Sequence, residues 1–167
     1  SLNSCYGLGL LCIRASELRA EGKTIEETAA WLEENKGTVN QEATPEKLSY
    51  LKRAGRVSAA TAFFGGILSV KPIIISDVKG QNAAVEKVKG RATSLKRLVE
   101  RMKEEYLSLP YQKVFVVHAD CEEDGKTLKD MVAEALSGED VTIETGEIGP
   151  IIGASTGPGT VAVYFYG

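Results

Sequence analysis

The sequence predicts an α/β fold from two hydrophobic periodicities and from the order in which they occur along the chain. Apolar residues at helical spacing, or an alanine-rich composition, mark six predicted helices: residues 7–20, 25–36, 45–51, 57–67, 95–106 and 124–136. Short apolar or alternating runs mark five predicted strands: residues 70–76, 81–89, 113–119, 141–145 and 161–166. Helices therefore dominate the first part of the chain, and a sheet backed by helices follows.

Start and stop signals define the helices near the beginning of the chain. Gly22 follows the first helix as a stop signal. Thr24 and Glu27 have the spacing of a capping box, in which each side chain bonds to the backbone of the other residue. Thr44 followed by Pro45 predicts a further helix start, with Thr44 as the N-cap and the proline at the first helical position.

The later segments predict a sheet with mostly antiparallel strands. Lys79 and Gly80 form a turn signal between two strand-like runs, which predicts a hairpin. Residues 113–119 are an uninterrupted apolar run that suits a strand buried on both faces. The helical pattern begins close to Ser1, so we expect further sequence upstream. We expect three units: the remainder of an N-terminal α/β lobe at 1–55, a connecting helix at 56–69, and a C-terminal α/β lobe at 70–167.

Composition narrows the possible functions. The formal net charge is −3 and acids and bases are interspersed, which argues against a protein that binds nucleic acid. Three cysteines without metal-ligand spacing are typical of reduced thiols in the cytoplasm. No apolar run reaches the roughly 20 residues that a transmembrane helix needs. His118, the only histidine, ends a predicted strand and is expected to make a structural hydrogen bond, so we expect no metal site.

The start of the first helix is a candidate anion site, because free backbone amides and the helix dipole favour negative charge there. Ser4 and Cys5 lie at this position. Two alternatives remain open: one of these side chains caps the helix, or Cys5 is a nucleophile whose thiol pKa is lowered by the helix.

Residues 153–159 combine hydroxyl side chains with a Gly-Pro-Gly turn, where backbone can approach a ligand closely. We expect this segment to form one wall of a small-molecule site, although it could equally be a tight turn into the last strand. Basic residues at the boundaries of predicted elements are further candidates for contacts with anions; they are Arg56, Lys89 and Arg91.

Six short patterns, taken in order, resemble those of the DegV family. The family's patterns include a Ser-x-Gly-x-Gly helix start, a Leu-x-x-Leu-x-x-Gly-Gly-Arg-Ile-Ser box, a Leu-x-x-Lys-Pro-Ile box, a Lys-x-Arg-Gly box and a final Gly-Pro-Gly. The similar segments here are residues 1–11, 48–58, 68–73, 87–91, 116–119 and 148–159. Each pattern is weak alone, but the six together span the whole chain.

The resemblance implies a two-lobed bacterial cytoplasmic protein that binds a long-chain fatty acid in a tunnel between its lobes. It also implies that the protein presents the carboxylate to a partner kinase, which makes acyl phosphate for phospholipid synthesis. This chain would then be a carrier without catalytic residues and without a cofactor other than the bound fatty acid. Burial of the acyl chain would supply most of the affinity, at about 0.8 kcal/mol per CH₂ group.

Site residues follow from these considerations. The expected head-group contacts are Ser4, Cys5, Ser155, Thr156 and Gly157. The expected wall of the acyl tunnel comprises Leu8, Leu11, Phe63, Phe64, Ile67, Ile148 and Ile152. The basic residues expected to face the partner are Arg56, Lys89 and Arg91.

Three positions depart from the family's pattern. Cys5 stands where the family has a carboxylate-contacting serine, Ser155 where it usually has histidine, and Lys89 where its box has arginine. Because Ser155 cannot carry a positive charge, we expect neutral capture of the head group. The alternatives are a binder or enzyme for a phosphorylated small molecule that uses the first helix start, Arg56 and the Gly-rich turn, or a protein that has lost its ligand and serves in an interaction.

Overall fold

The computed structural model describes residues 1–56 and 70–167, which form a six-stranded sheet with helices on both faces. The helices are α1 (Cys5–Ala20), α2 (Ile25–Asn35), α3 (Leu48–Arg53), α4 (Arg91–Glu105), α5 (Glu122–Ala135) and α6 (Pro150–Thr156). The strands are β1 (Val39–Thr44), β2 (Val70–Ser76), β3 (Asn82–Lys89), β4 (Lys113–Ala119), β5 (Thr142–Glu147) and β6 (Thr160–Tyr166). The predicted α/β class is confirmed.

The strands lie in the order β3-β2-β1-β6-β4-β5. Only β4 and β5 run parallel to each other, and the other neighbouring pairs are antiparallel, as expected for a mostly antiparallel sheet. The β2–β3 hairpin turns at the predicted place. Asp77 Oδ1 accepts hydrogen bonds from the backbone amides of Lys79 and Gln81 at 2.8 and 2.9 Å, and Gly80 adopts a positive φ of 74°.

Helices α4 and α5 cover one face of the sheet, and α1, α2, α3 and α6 lie on the other. Strand β4 has apolar side chains on both faces. Its Val116 is buried in the cluster that includes Leu98 of α4 and Leu128 of α5, whereas Val117 is buried in the cluster that includes Leu10 of α1. The prediction that residues 113–119 form a strand buried on both faces is therefore confirmed.

The first two helices form as the sequence predicts. The amide of Glu27 donates to Thr24 Oγ1 at 3.2 Å, and Glu27 Oε2 accepts from the amide of Thr24 at 2.9 Å, which completes the capping box. A 3-10 turn (Lys36–Thr38) then leads directly into β1.

Two segments correct the sequence-based assignment. Thr44 does not cap a helix: it is the last residue of β1, and α3 begins later, after Lys47. The sequence assigned no strand to residues 39–44, because Gln41 and Glu42 are polar residues that strand patterns seldom place in a core. The sequence predicts no helix between the strands at 141–145 and 161–166, but this segment contains α6, with Pro150 in the first turn.

The connecting helix expected at residues 56–69 lies almost entirely outside the described residues. The division into lobes therefore stays a prediction. Strand β1, which precedes the connection, pairs with β2 and β6, which follow it.

On the α4 face, a network of charges joins three elements. Glu42 of β1 is fully buried, and its Oε2 accepts from Arg101 Nε of α4 at 2.8 Å. Glu86 of β3 accepts from Arg101 at 3.1 Å and from Arg97 at 2.7 Å, also of α4. These hydrogen bonds and ion pairs link the β2–β3 hairpin and β1 to α4, on the face of the sheet that carries α4 and α5.

Candidate functional site

A cavity of about 340 Å³ lies on the face of the sheet that carries α1, α3 and α6. Its volume is at the lower end of the range for small-molecule sites. Among the described residues, it is lined by Ser1, Leu2, Asn3, Ser4, Gln41, Ala43, Pro45, Leu51, Arg56, Ile74, Ser76, Gly80, Asn82, Ile148, Ile152, Ser155, Thr156, Thr160, Ala162 and Tyr164. The strands supply its floor, and the segment before α1 together with α6 supplies much of its walls.

In the floor of the cavity, side chains that lie side by side on neighbouring strands form rows, and one of these rows is polar. Register pairs Tyr164 of β6 with Gln41 of β1, and Ser76 of β2 with Asn82 of β3. The pairing of Ala43 with Ile74 on β1 and β2 places Gln41 opposite Ser76 in the same row. Four neighbouring strands therefore present polar side chains side by side over about 14 Å, from three strand spacings of about 4.8 Å.

Hydrogen bonds connect this polar row. The Tyr164 hydroxyl donates to Gln41 Oε1 at 3.1 Å, and Gln41 Nε2 donates to Asn82 Oδ1 at 3.4 Å. Burial raises the pKa of Tyr164 well above its usual value, and the nearby Cys5 thiol adds to this shift. Tyr164 is therefore a neutral hydrogen-bonding group in this site.

The next row of the floor is apolar. Ala162 of β6 pairs with Ala43 of β1, which pairs with Ile74 of β2. Ile148 and Ile152, which line the cavity beside this row, pack against the same core cluster. The middle of the cavity thus offers apolar surface to a ligand.

The α6 side of the cavity contains hydroxyl groups. Thr156 and Ser155 lie in the last turn of α6, where their hydroxyls donate to the carbonyls of Ile152 and Ile151 at 3.1 and 3.3 Å. The Thr160 hydroxyl donates back to the carbonyls of Thr156 and Gly157 at 3.0 and 2.9 Å. These bonds fasten the end of α6 to the beginning of β6.

The beginning of α1 lies beside the polar row. Ser4 lines the cavity and is the N-cap residue, but its side chain makes no capping hydrogen bond, so the capping alternative is wrong for Ser4. Cys5 is outside the lining, has a φ of 52°, and interacts with the hydroxyl of Tyr164 and the backbone of Gly149. Burial raises the pKa of the Cys5 thiol, which argues against the nucleophile alternative.

The Gly-rich segment 153–159 is half helix and half turn. Ser155 and Thr156 line the cavity, whereas Gly157 packs against α3, where an added Cβ would overlap the ring of Tyr50. The amides of Gly157 and Gly159 donate to the carbonyls of Gly153 and Ala119 at 2.7 and 2.8 Å. A phosphate would find neither amide free, which removes support from the alternative of a phosphorylated ligand.

Some of the residues expected in the wall of the acyl tunnel line the cavity. Ile148 and Ile152 line the cavity. Leu11 is buried in the core, and Leu8 is half exposed on α1, so neither is among the lining residues. The other three expected wall residues lie outside the described ranges; they are Phe63, Phe64 and Ile67.

The three basic candidates lie in different places. Arg56 lines the cavity and is the only side chain with a formal charge among the described lining residues. Lys89 is exposed at the end of β3. The Arg91 guanidinium forms an ion pair with Asp124 at 2.9 Å, at the junction of α4 and α5. Their expected role in facing a partner stays a prediction.

His118 packs against α5, where an added Cβ at Gly125 would lie 2.6 Å from its ring. The structural hydrogen bond expected of His118 is not made by Nδ1, which is buried and has no hydrogen-bond partner among the described residues. Within residues 1–56 and 70–167, no three His, Cys, Asp or Glu side chains come together as a possible metal site. No helix in these ranges has both the length and the apolar composition needed to cross a membrane.

A mixed sheet with helices on both faces and a cavity of this kind on one face defines an α/β protein with a candidate small-molecule site. The family model described as "Uncharacterised protein, DegV family" matches residues 1–167. A DegV domain-containing protein of Clostridium perfringens is 38% identical over 164 residues, which are 98% of this chain and 56% of that protein. The chain belongs to the DegV family and spans a little over half the length of this relative.

Solved structures of DegV proteins have the same fold. The Bacillus subtilis protein, described as DegV, a fatty acid binding protein, has a TM-score of 0.81 and 30% identity, over 98% of this chain and 57% of that one. A DegV family protein from Thermus thermophilus, described by its fatty acid binding, has a TM-score of 0.85 and 27% identity, over 96% of this chain and 56% of that one.

Sequence reasoning missed the polar row. Gln41 lay in a segment with no predicted strand, and Asn82 and Tyr164 lay in predicted strands without any motif. Alternation within β6 could have placed Tyr164 on the same face as Ala162, but no local signal connects either residue to Gln41, which lies 123 residues before Tyr164.

Proposed function

We propose that the protein containing this chain binds a long-chain fatty acid in the cavity, as a non-catalytic cytoplasmic carrier. The observation that carries the proposal is the arrangement of the cavity: an apolar middle row of Ala43, Ile74 and Ala162, with hydroxyl groups on the α6 side. The fatty acid binding of the DegV relatives supports it.

The polar groups on the α6 side of the cavity and the apolar surface across the strands together set the orientation of the ligand. The carboxylate lies on the α6 side, near Ser155 and Thr156, whose hydroxyls turn from the carbonyls of Ile151 and Ile152 to donate to it. Ser4 of the segment before α1 completes its surroundings. The acyl chain extends across β6 and β1 toward the β2–β3 hairpin. Since each buried CH₂ group contributes about 0.8 kcal/mol, the apolar contacts supply most of the affinity and the polar groups fix the direction.

A partner kinase completes the proposed function. The carboxylate on the α6 side is presented to this kinase, which transfers phosphate from ATP to form acyl phosphate for phospholipid synthesis. Arg56, the charged residue of the described lining, is exposed and suits a contact with an acidic partner surface or with the phosphates. Neutral capture of the head group by Ser155 remains part of the proposal.

Fatty acid binding is tested on the full-length protein purified from a bacterial host. We expect mass spectrometry of a denatured extract to show bound fatty acid, and a labelled fatty acid to bind saturably. Ala43→Phe would fill the middle of the floor and is expected to weaken binding at least tenfold. Ala30→Phe, on the exposed side of α2, is the matched control and should bind normally.

The two parts of the proposal fail in different ways. A protein with no extractable fatty acid and no saturable binding would contradict the carrier function. A protein that binds fatty acid, yet supports no ATP-dependent acyl phosphate formation with the host's fatty acid kinase, would contradict only the kinase coupling. Trapping acyl phosphate with hydroxylamine provides that second measurement.

A further inference from the structure

The Lys-Pro-Ile pattern at residues 71–73 places a lysine in the interior of the protein. Lys71 lies on β2 and is 8% exposed. Its Nζ donates to the backbone carbonyl of Glu46 at 3.2 Å and forms an ion pair with Oε1 of the same residue at 2.5 Å. Glu46 lies in the loop between β1 and α3. A buried ammonium group is therefore bonded twice to one residue of a connecting loop.

The position of Glu46 follows from the register of the sheet. Strand β1 pairs with β2 on one side and with β6 on the other, and both registers, continued beyond the end of β1, bring Glu46 opposite Lys71 and Gly159. An added Cβ at Gly159 would lie 2.5 Å from the Cβ of Glu46. Pro45 has no N–H to donate to a neighbouring strand. The Lys71 side chain thus links β2 to the chain just beyond this proline.

The segment that follows Glu46 forms one wall of the cavity. Lining residues come just before, within and after α3; they are Pro45, Leu51 and Arg56. The helix has six residues, too few to be stable without tertiary contacts. Its Tyr50 packs on the end of α6, where a Cβ at Gly157 would lie 2.4 Å from the ring. The link between Lys71 and Glu46 fixes the chain immediately before this wall.

The charge of Lys71 favours one position of the loop. A buried ion pair stabilises a fold little more than apolar side chains of similar volume would, because both charges lose water. Separating the partners is costly, however, since it leaves a buried charge unpaired. Displacement of the loop would deprive the ammonium group of Lys71 of the carbonyl and the carboxylate of Glu46 together. The ion pair therefore opposes movement of the loop and of α3.

We propose that Lys71 is a positioning residue of the cavity, which acts through Glu46 to hold α3 in place and so slows the release of a bound fatty acid. The ligand leaves past this wall when α3 is displaced, so the dissociation rate is proportional to the small fraction of molecules in that state. This inference rests on the proposed function, since it describes how the fatty acid of the same cavity is retained.

The test measures two rates in the full-length protein. Hydrogen exchange of the ligand-free protein, followed by mass spectrometry, reports how often the amides of α3 open. Stopped-flow displacement of a fluorescent fatty acid reports dissociation. Lys71→Met nearly keeps the length of the side chain and removes its charge and its donors. We expect this variant to raise both rates by the same factor, about tenfold, which is the lower value of a hydrogen bond to a charged group.

Lys113→Met is the matched control. Lys113 is also a strand lysine that pairs with a glutamate, Glu17 of α1, at 3.7 Å, and it is outside the described lining. This variant should leave both rates unchanged. Thermal unfolding of every variant checks that it is folded.

A second variant tests whether Lys71 acts through Glu46. Glu46→Ala keeps the Cβ that packs on Gly159 and leaves the buried ammonium group without its carboxylate, so it should also raise both rates. In the double variant with Lys71→Met, the rates should rise by much less than the product of the two separate factors, because each substitution removes the same ion pair. If Lys71→Met does not fold, Glu46→Ala supplies the comparison with the native protein.

The outcomes separate the inference from the proposed function. Faster exchange in α3 with an unchanged dissociation rate overturns the role of this wall in release and leaves fatty acid binding intact. Unchanged exchange in α3 overturns the anchoring by Lys71. Failure of the native protein to bind any fatty acid overturns the proposed function and the role in release with it, while the exchange rates still decide whether Lys71 anchors α3.

Discussion

Glu42 predicts an unusual dependence of stability on pH. Its side chain is fully buried on the α4 face of β1, with Oε2 bonded to Arg101 and Oε1 without a partner among the described residues. Burial raises the pKa of Glu42 from 4.5 to about 7, despite the opposing hydrogen bond and charge of Arg101, and Glu105 and Glu86 add to the increase.

The sign of the effect follows from proton binding. Between pH 4.5 and about 7, Glu42 holds its proton in the folded protein and releases it in the unfolded chain. The folded state therefore binds more protons in this window, and the free energy of unfolding falls as pH rises. At about 1.4 kcal/mol per pH unit, the contribution lost by about pH 7 is about 3 kcal/mol, and it is constant above that pH.

The measurement is urea unfolding of the native protein and of Glu42→Gln at several pH values from about 5 to about 8. Because Gln does not titrate, the difference in the free energy of unfolding between the two proteins should change by about 2–3 kcal/mol over that range. Glu105→Gln is the matched control, since Glu105 pairs with the same Arg101 at 3.5 Å but is more exposed. The control should keep the fall in stability as pH rises, made somewhat smaller because the charge of Glu105 contributes to the raised pKa of Glu42.

Parallel pH curves for the native protein and Glu42→Gln would refute this reasoning. Titration of Glu86 does not contribute to the change in the free energy of unfolding over this pH range. Hydrogen bonds from Arg97 and Arg101 lower the pKa of Glu86 to about 2, so its contribution is present above pH 4.5 and is lost only as pH falls toward 2.

Two further predictions concern local structure. Gly157→Ala should destabilise the protein by at least about 2 kcal/mol in urea unfolding, because Gly157 has a φ of 83° and an added Cβ would overlap Tyr50; Gly138→Ala, whose Cβ would meet open space, should change stability by less than about 1 kcal/mol. Similar losses for both variants would exclude the steric explanation. Thr24→Ala should weaken α2 by about 1 kcal/mol through loss of the capping box, measured as faster amide hydrogen exchange in that helix, while Thr24→Ser should not. Unchanged exchange in Thr24→Ala would show that the box does not stabilise α2.

Local pattern predicted those elements whose core residues are apolar. Residues 113–119 and 161–166 were predicted as strands, because they are apolar runs of the length typical of buried strands. The capping box predicted the start of α2 within one residue. By contrast, α6 begins at Pro150 among several glycines, a composition that indicates a loop. Its helix forms where it packs against α3 and β6, and such tertiary contacts are not visible in a sequence window.

The candidate site was predictable only where motifs marked it. Ser4, Ile148, Ile152 and Ser155 were named from the sequence and lie in the lining, although their contacts with a ligand stay predictions. The floor of the cavity could not be named, because it is made by the register of strands that are far apart in the chain. Gln41 and Asn82 belong to one row only after β1, β2 and β3 have paired.

The sequence did not predict strand β1, nor the roles of its polar side chains, and both failures have the same physical cause. Gln41 and Glu42 are adjacent residues within β1, so their side chains point to opposite faces of the sheet, and both are buried. Polar side chains can be buried there because each finds a distant partner: Tyr164 lies 123 residues after Gln41, and Arg101 lies 59 residues after Glu42. A search for apolar alternation does not detect such a strand, since the partners of its polar residues come together only in the complete fold. Gln41 and Glu42 are therefore the residues that prevented β1 from being predicted as a strand. Gln41 contributes a hydrogen-bonding side chain to the polar row of the cavity, and Glu42, on the opposite face, is the group expected to make stability depend on pH.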